Sequence, residues 1–119
     1  MESRRTDRLQ GPFAVTWMVA QQHLSGAGII QNLSADGICL QLDREFRVQP
    51  GTVVLSLASP EIAVLPAQAK VRWFRRLPRQ RFEPPRGLLC GCVFVSTSEI
   101  WIDWFRKALA RQIAAKTPD

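Results

Sequence analysis

Large apolar residues recur at every second position over most of the chain before Ser96. In "FAVTWMVAQ" they occupy the odd-numbered positions from Phe13 to Val19, and in "ICLQL" the even-numbered positions from Ile38 to Leu42. A period of two places alternate side chains on opposite faces of an extended chain. Both stretches are therefore predicted to be β-strands with one buried face.

Four more segments complete the strand series: "AGIIQNLS", "VVLSLA", "EIAVLPAQAKVRWFRR" and "LLCGCVFVS". Turn signals separate them, with His23 to Gly28 predicted as one turn region and "QPGT" as another. Pro66 is expected at an edge, a bulge or a break in its segment. Short strands joined by turns predict a mostly antiparallel small barrel or sandwich.

The period changes after Ser96, where "STSEIWIDWFRKALARQIAAK" repeats its apolar residues every three or four positions. The spacing Ser96-x-x-Glu99 is that of a capping box, which predicts the start of a helix. Trp101, Phe105 and Leu109 lie on its apolar stripe. We expect one C-terminal amphipathic helix that packs on the sheet through this aromatic face.

Length and hydropathy favour a single domain outside the membrane. The 119 residues are 46% apolar, which suits one domain with one core. No apolar run is long enough to span a bilayer, and the first residues lack the apolar core of a signal peptide. We therefore expect a cytoplasmic protein without membrane insertion.

Composition also limits the classes of function that the chain could have. The formal net charge is +6, and arginine dominates the basic residues. Arginine suits phosphate and the guanine edge, although a GC-rich genome explains the bias equally well. Cys90 and Cys92 pattern as small buried hydrophobes, and a lone His23 gives the three cysteines no partner for a metal site. Without an enzyme motif, cofactor motif or metal cluster, a binding module is favoured over an enzyme.

Two polar segments stand out, and each has an ordinary explanation when taken alone. The basic stretch Arg4-Arg5-Thr6-Asp7-Arg8 could be a solvated tail. The stretch "QNLSADG" could be a simple turn, in which Asn32, Ser34 and Asp36 bond their own backbone and Gly37 supplies a positive φ.

Together the two segments resemble the PilZ domain family, the bacterial receptors for cyclic di-GMP. The family pattern is R-x-x-x-R followed by D/N-x-S-x-x-G, and Asn32 stands 24 residues after Arg8. The stretches "PGTVVLSL", "AKVRWFRR" and "CGCVF" extend the resemblance over nearly the whole chain. It implies a six-stranded antiparallel β-barrel (residues 13–116, with one C-terminal helix) preceded by a flexible ligand-binding arm (residues 1–12).

The resemblance also implies the ligand-binding residues, which are Arg4, Arg8, Asn32, Ser34 and Gly37, with Arg5 and Asp36 as possible additions. An arginine fork bonds phosphate oxygens or guanine O6 and N7. Asn32 and Ser34 offer polar atoms to a base, and a glycine lets the ligand approach the backbone. The arm is expected to be mobile when free and to become ordered on the ligand.

The implied function is a cyclic di-GMP receptor that passes the signal to a separate effector protein, as a monomer or homodimer. Expected outputs are motility, exopolysaccharide and biofilm formation, or virulence. Two alternatives stay open at this point. One is a small basic barrel that binds single-stranded nucleic acid, which is disfavoured because most aromatic residues pattern as core. The other is a PilZ-fold interaction module that binds no nucleotide.

Overall fold

The computed structural model describes residues 7–47, 53–78 and 87–116. Six strands, one short 3-10 helix and one α-helix account for most of them. The elements are β1 (Leu9–Val19), the 3-10 helix (Ala20–Gln22), β2 (Leu24–Leu33), β3 (Gly37–Leu42), β4 (Val54–Ala58), β5 (Gln68–Arg76), β6 (Leu88–Phe94) and α1 (Glu99–Ala115).

The strands form a closed barrel in the order β1-β2-β3-β6-β5-β4, and every neighbouring pair is antiparallel. The barrel closes where β1 meets β4, through three residue pairs that run from Thr16 with Ala58 to Met18 with Ser56. This architecture, followed by one C-terminal helix, confirms the predicted fold class.

The alternating residues form the core, as the sequence predicted. Val15, Trp17 and Val19 of β1 are buried, as are the even-numbered residues of β3 from Ile38 to Leu42. The Trp17 indole stacks on Phe46 with ring centroids 5.2 Å apart. Burial of such side chains removes apolar surface from water, which is the main favourable contribution to folding.

Two local predictions need correction. The region from His23 to Gly28 is not all turn, because β2 already begins at Leu24. The reversal is made within Ala20 to His23, where His23 takes the left-handed conformation with φ of 53°. The segment from Glu61 is also not strand throughout, since β5 begins only at Gln68, and Pro66 lies in the break that was predicted for this segment.

The helix begins at Glu99, but Ser96 does not cap it. Ser98 is the N-cap, and its hydroxyl accepts a hydrogen bond from the Trp101 amide at 3.1 Å. The predicted capping box was therefore wrong by two residues, because two serines compete for the role and only the local backbone decides between them. Trp101 and Phe105 are buried against the barrel, as predicted for the aromatic face.

The edge of β1 that faces away from β2 is covered by β4 only at Thr16 to Met18. Side chains bond the backbone elsewhere along this edge. At Ala14 the Glu61 carboxylate accepts from the amide, and the Ser59 hydroxyl donates to the carbonyl, both at 2.6 Å. These contacts satisfy backbone groups that an uncovered strand edge would leave exposed.

β1 also begins earlier than the predicted boundary between the arm and the barrel. Leu9 is buried and pairs with Leu33 of β2, so residues 9–12 belong to the first strand. Arg4 and Arg5, the other predicted residues of the arm, lie outside the described residues. Of the predicted arm, the structure therefore describes only residues 7–12, which lead into β1 or belong to it.

Candidate functional site

Two irregularities in the barrel bring the predicted motifs together. Along β1 the register shifts between Gln10 and Phe13, and along β2 it shifts between Ile30 and Asn32. Such bulges increase local twist and redirect side chains. Beyond them, the Arg8 guanidinium donates a 2.7 Å hydrogen bond from Nη1 to Oδ1 of Asn32. The last residue of the R-x-x-x-R motif and the first residue of the D/N-x-S-x-x-G motif are thus in direct contact.

The loop from Ser34 to Gly37 is held by its own polar atoms. The Ser34 amide donates to the Gly37 carbonyl at 2.9 Å, and the Ser34 hydroxyl donates to Oδ1 of Asp36 at 3.0 Å. Ser34 is only 8% exposed. Its hydroxyl thus has a structural partner before any ligand arrives, as the ordinary turn explanation required.

The same loop is also held from behind. The Phe94 amide donates to the Asp36 carbonyl at 2.9 Å, and the Trp101 indole donates to the Ala35 carbonyl at 2.8 Å. Phe94 and Trp101 contact each other edge to face, with centroids 5.4 Å apart. The end of β6 and the start of α1 therefore fix the backbone on which the motif is displayed.

Gly37 is explained by packing between strands. Gly87, and not Gly37, is the glycine with a positive φ among the described residues. A Cβ on Gly37 would lie 2.8 Å from the Cys92 carbonyl oxygen, which is backbone and cannot swing away. The positive φ that the simple-turn explanation predicted for Gly37 was therefore wrong, and the close approach of β3 to β6 accounts for a residue without a Cβ here.

These residues line one open cavity of about 360 Å³. It contains all the predicted site residues that the structure describes, which are Arg8, Asn32, Ser34, Asp36 and Gly37. Its far wall comes from β5 and β6, which the site prediction did not include. The volume lies at the lower end of the range for small-molecule pockets.

Trp73 and Arg72 complete that wall. β5 carries a bulge between Val71 and Trp73, so Arg72 and Trp73 are both exposed, where strict alternation would bury one of them. Trp73 is 48% exposed and lies over Gly91, where a Cβ would overlap its indole ring. An exposed indole beside a pocket can stack on a planar base.

The site prediction did not include Trp73, although the stretch "AKVRWFRR" that contains it is part of the family resemblance. The pairing of Trp73 with Gly91 follows from the register of β5 on β6, and no pattern along one strand encodes it.

The cavity wall is basic, with one carboxylate. Among its lining residues, Arg8 and Arg72 carry positive charge and Asp36 carries the negative charge. Burial raises the pKa of the Cys39 thiol, while the nearby Arg8 and Arg75 lower it. The net direction is upward, so Cys39 presents a neutral thiol to the cavity near neutral pH.

The other two cysteines are structural. Cys90 and Cys92 are buried and have free thiols, as predicted for small core residues. Burial raises the pKa of Cys90 to about 12 and that of Cys92 further. In the described part of the chain, no cluster of His, Cys, Asp and Glu could hold a metal ion. None of the helices described there is both long and apolar enough to cross a membrane.

An antiparallel barrel with Arg8 and the Asn32-x-Ser34-x-x-Gly37 segment at one cavity is in keeping with the sequence resemblance. The chain belongs to the PilZ domain family, since the family model of the PilZ domain matches residues 2–113. This finding confirms the resemblance.

Among solved structures, the chain is similar to the PilZ domain of YcgR from Escherichia coli, a structure with c-di-GMP. The TM-score is 0.56 at 12% identity, with 92% of this chain and 95% of that chain covered. At this identity the similarity concerns the fold. No curated protein sequence matches the chain at a significant level.

Proposed function

We propose that this protein is a receptor for cyclic di-GMP that transmits the signal to a partner protein. The observation that carries the proposal is the single cavity in which Arg8, Asn32, Asp36 and Trp73 converge. Family membership and the c-di-GMP in the similar PilZ domain of YcgR support it.

The ligand has two anionic phosphates and two guanines, and the cavity offers a group for each. Arg8 and Arg72 supply guanidinium forks for phosphate oxygens or for guanine O6 and N7. We assign Arg4 to the same role, with Arg5 as a weaker contributor, on the sequence motif alone. Trp73 supplies a flat apolar face for a base.

Asp36 faces the same cavity with a carboxylate that repels phosphate. Its Oδ1 accepts the Ser34 hydroxyl, and its side chain is exposed. An ionised carboxylate accepts hydrogen bonds and donates none, so it suits the N1–H and N2–H donors of guanine. We therefore assign Asp36 to the guanine edge, and Asn32 and Ser34 to the backbone geometry and polar contacts beside it.

The signal would pass through the segment that precedes Arg8. Phosphate contacts made by Arg4 and Arg8 would order this segment, at an entropic cost of roughly 1 kcal/mol per residue fixed. The newly ordered surface would then bind an effector in a cytoplasmic pathway such as motility, exopolysaccharide production or virulence. Amide hydrogen exchange with and without ligand tests this step. Equal protection before Arg8 in both states would contradict it.

Calorimetric titration with cyclic di-GMP tests the receptor function. We expect a dissociation constant of about 1 μM or lower, which corresponds to about −8 kcal/mol. Because phosphate contacts contribute, affinity should fall as salt is added. Cyclic di-AMP and a short single-stranded oligonucleotide serve as controls. A flat titration of folded protein, or tighter binding of the oligonucleotide, would reject the proposal.

A further inference from the structure

The C-terminal helix contacts the start of β1 through one side chain. Gln112 of α1 donates from Nε2 to the Arg8 carbonyl at 2.8 Å, and its Oε1 accepts from the Gln10 amide at 2.7 Å. One amide group therefore bonds the backbone on both sides of Leu9. The contact joins residues more than 100 positions apart in the sequence.

The two backbone groups belong to the uncovered edge of β1. The Arg8 carbonyl and the Gln10 amide are directed at Gln112 of α1, while Leu9 between them pairs with Leu33 of β2. β4 does not reach this far along β1. Gln112 therefore takes the place of a neighbouring strand, with an acceptor and a donor at the spacing that an extended chain requires.

The consequence concerns the Arg8 side chain. Its guanidinium bonds Asn32 at the cavity, while its backbone carbonyl is held by Gln112 on the outer side. Holding the backbone limits the positions that the guanidinium can reach, and less conformational entropy is then lost when it binds a ligand. The same helix also bonds the motif loop, through Trp101 and the Ala35 carbonyl.

We propose that Gln112 is a positioning residue for the ligand site, which it serves by holding the Arg8 backbone to α1. This inference rests on the proposed function, because its effect appears as ligand affinity. It makes α1 a common support for both halves of the site. A ligand that moves the Arg8 backbone would then also move α1 through the Gln112 hydrogen bonds.

Two substitutions separate the two hydrogen bonds. Gln112→Met removes both and keeps the length and helix propensity of the side chain. Gln112→Glu keeps the acceptor for the Gln10 amide but loses the donor to the Arg8 carbonyl. Ala110→Glu, at a nearby exposed position, is the control for the added negative charge.

Calorimetry with cyclic di-GMP gives the first readout. We expect Gln112→Met and Gln112→Glu to weaken binding roughly tenfold, and Ala110→Glu to weaken it less than about twofold. In the Arg8→Ala background, Gln112→Met should change affinity less than about twofold, because the group that it positions is gone. An equal loss in both backgrounds would show a purely structural role and overturn the proposal.

Amide exchange without ligand gives the second readout. Exchange at the Gln10 amide should accelerate in Gln112→Met and stay near the wild-type rate in Gln112→Glu. If wild-type protein binds cyclic di-GMP and the Gln112 variants bind equally well, this inference fails and the receptor function stands. If wild-type protein does not bind, the receptor function fails, and the positioning role fails with it.

Discussion

The two halves of the site are held in different ways. The loop from Ser34 to Gly37 is fixed by its own hydrogen bonds, by β6 and by the Trp101 indole. The strand start at Arg8 is held by a backbone contact to Gln112 and one side-chain bond to Asn32. The loop contains the buried Ser34 and packs on the core, whereas Arg8 is only partly buried.

The difference separates stability from affinity. Polar atoms of the loop already serve the fold, so their removal should cost stability first. The guanidinium of Arg8 spends one donor on Asn32 and has others for a ligand, so its removal should cost affinity first. Substitutions in the two halves should therefore give opposite profiles, and that contrast can be tested.

The largest expected effect is the loss of ligand affinity caused by Arg8→Ala. We expect affinity for cyclic di-GMP to fall about 100-fold, which is about 2.7 kcal/mol, because a charge-assisted contact is lost. The Tm should change by less than about 2 °C. Arg8→Lys keeps the charge and loses the fork, so it should recover only part of the affinity. A large drop in Tm for Arg8→Ala would remove the contrast between the halves.

The next effect falls on stability. Gly37→Ala places a Cβ against the Cys92 carbonyl, so β3 and β6 must separate locally. We expect a loss of about 1–3 kcal/mol in the free energy of unfolding, measured by urea denaturation. Binding by the fraction that remains folded should fall less than for Arg8→Ala. Unchanged stability would mean that Gly37 is required for ligand approach instead.

A smaller effect on affinity is expected at the opposite wall. Trp73→Ala should weaken cyclic di-GMP binding by about 1–2 kcal/mol through loss of stacking, and Trp73→Phe should retain part of it. The side chain is half exposed, so stability should change little. Calorimetry on both variants tests the assignment, which is wrong if the alanine variant binds like wild type.

The smallest effect is predicted for Ser34→Ala. The lost hydroxyl donates to Asp36 inside the loop, and we expect a decrease of about 1 kcal/mol in the free energy of unfolding. Affinity should fall by a similar amount, because the Asp36 carboxylate loses its orientation. Ser59→Ala is the matched control, because it removes a hydroxyl that donates to the Ala14 carbonyl of β1, and neither residue lines the cavity. It should lower stability without changing affinity.

Much of the fold could be predicted because the residues that face the core recur along the sequence with the period of a strand or a helix. The burial of Val15, Trp17 and Val19 and that of Trp101 and Phe105 in α1 were predicted directly from that period. The two short motifs identified the family, and the structure brings Arg8 next to Asn32. These features depend on residue type and spacing along one chain segment.

Features that depend on contacts between segments could not be predicted. The choice of Ser98 over Ser96 as helix cap, the reason for Gly37 and the exposure of Trp73 all depend on neighbouring backbone. The bulge that exposes Trp73 breaks the alternation on which strand prediction relies. The contact of Gln112 with β1 likewise joins the two ends of the described chain.

The four tryptophans of the chain offer the most direct test of the central claim, that this cavity binds cyclic di-GMP. Each indole N–H gives its own signal in an ¹H–¹⁵N spectrum. Trp17 is buried in the barrel, and Trp101 is buried on the face of α1 that packs against the barrel. Trp73 lies at the cavity. On titration with cyclic di-GMP, the Trp73 signal should shift most, together with the amides of Asn32 and Asp36, and the Trp17 signal should stay in place. Saturating ligand that leaves the Trp73 signal unmoved would contradict the account.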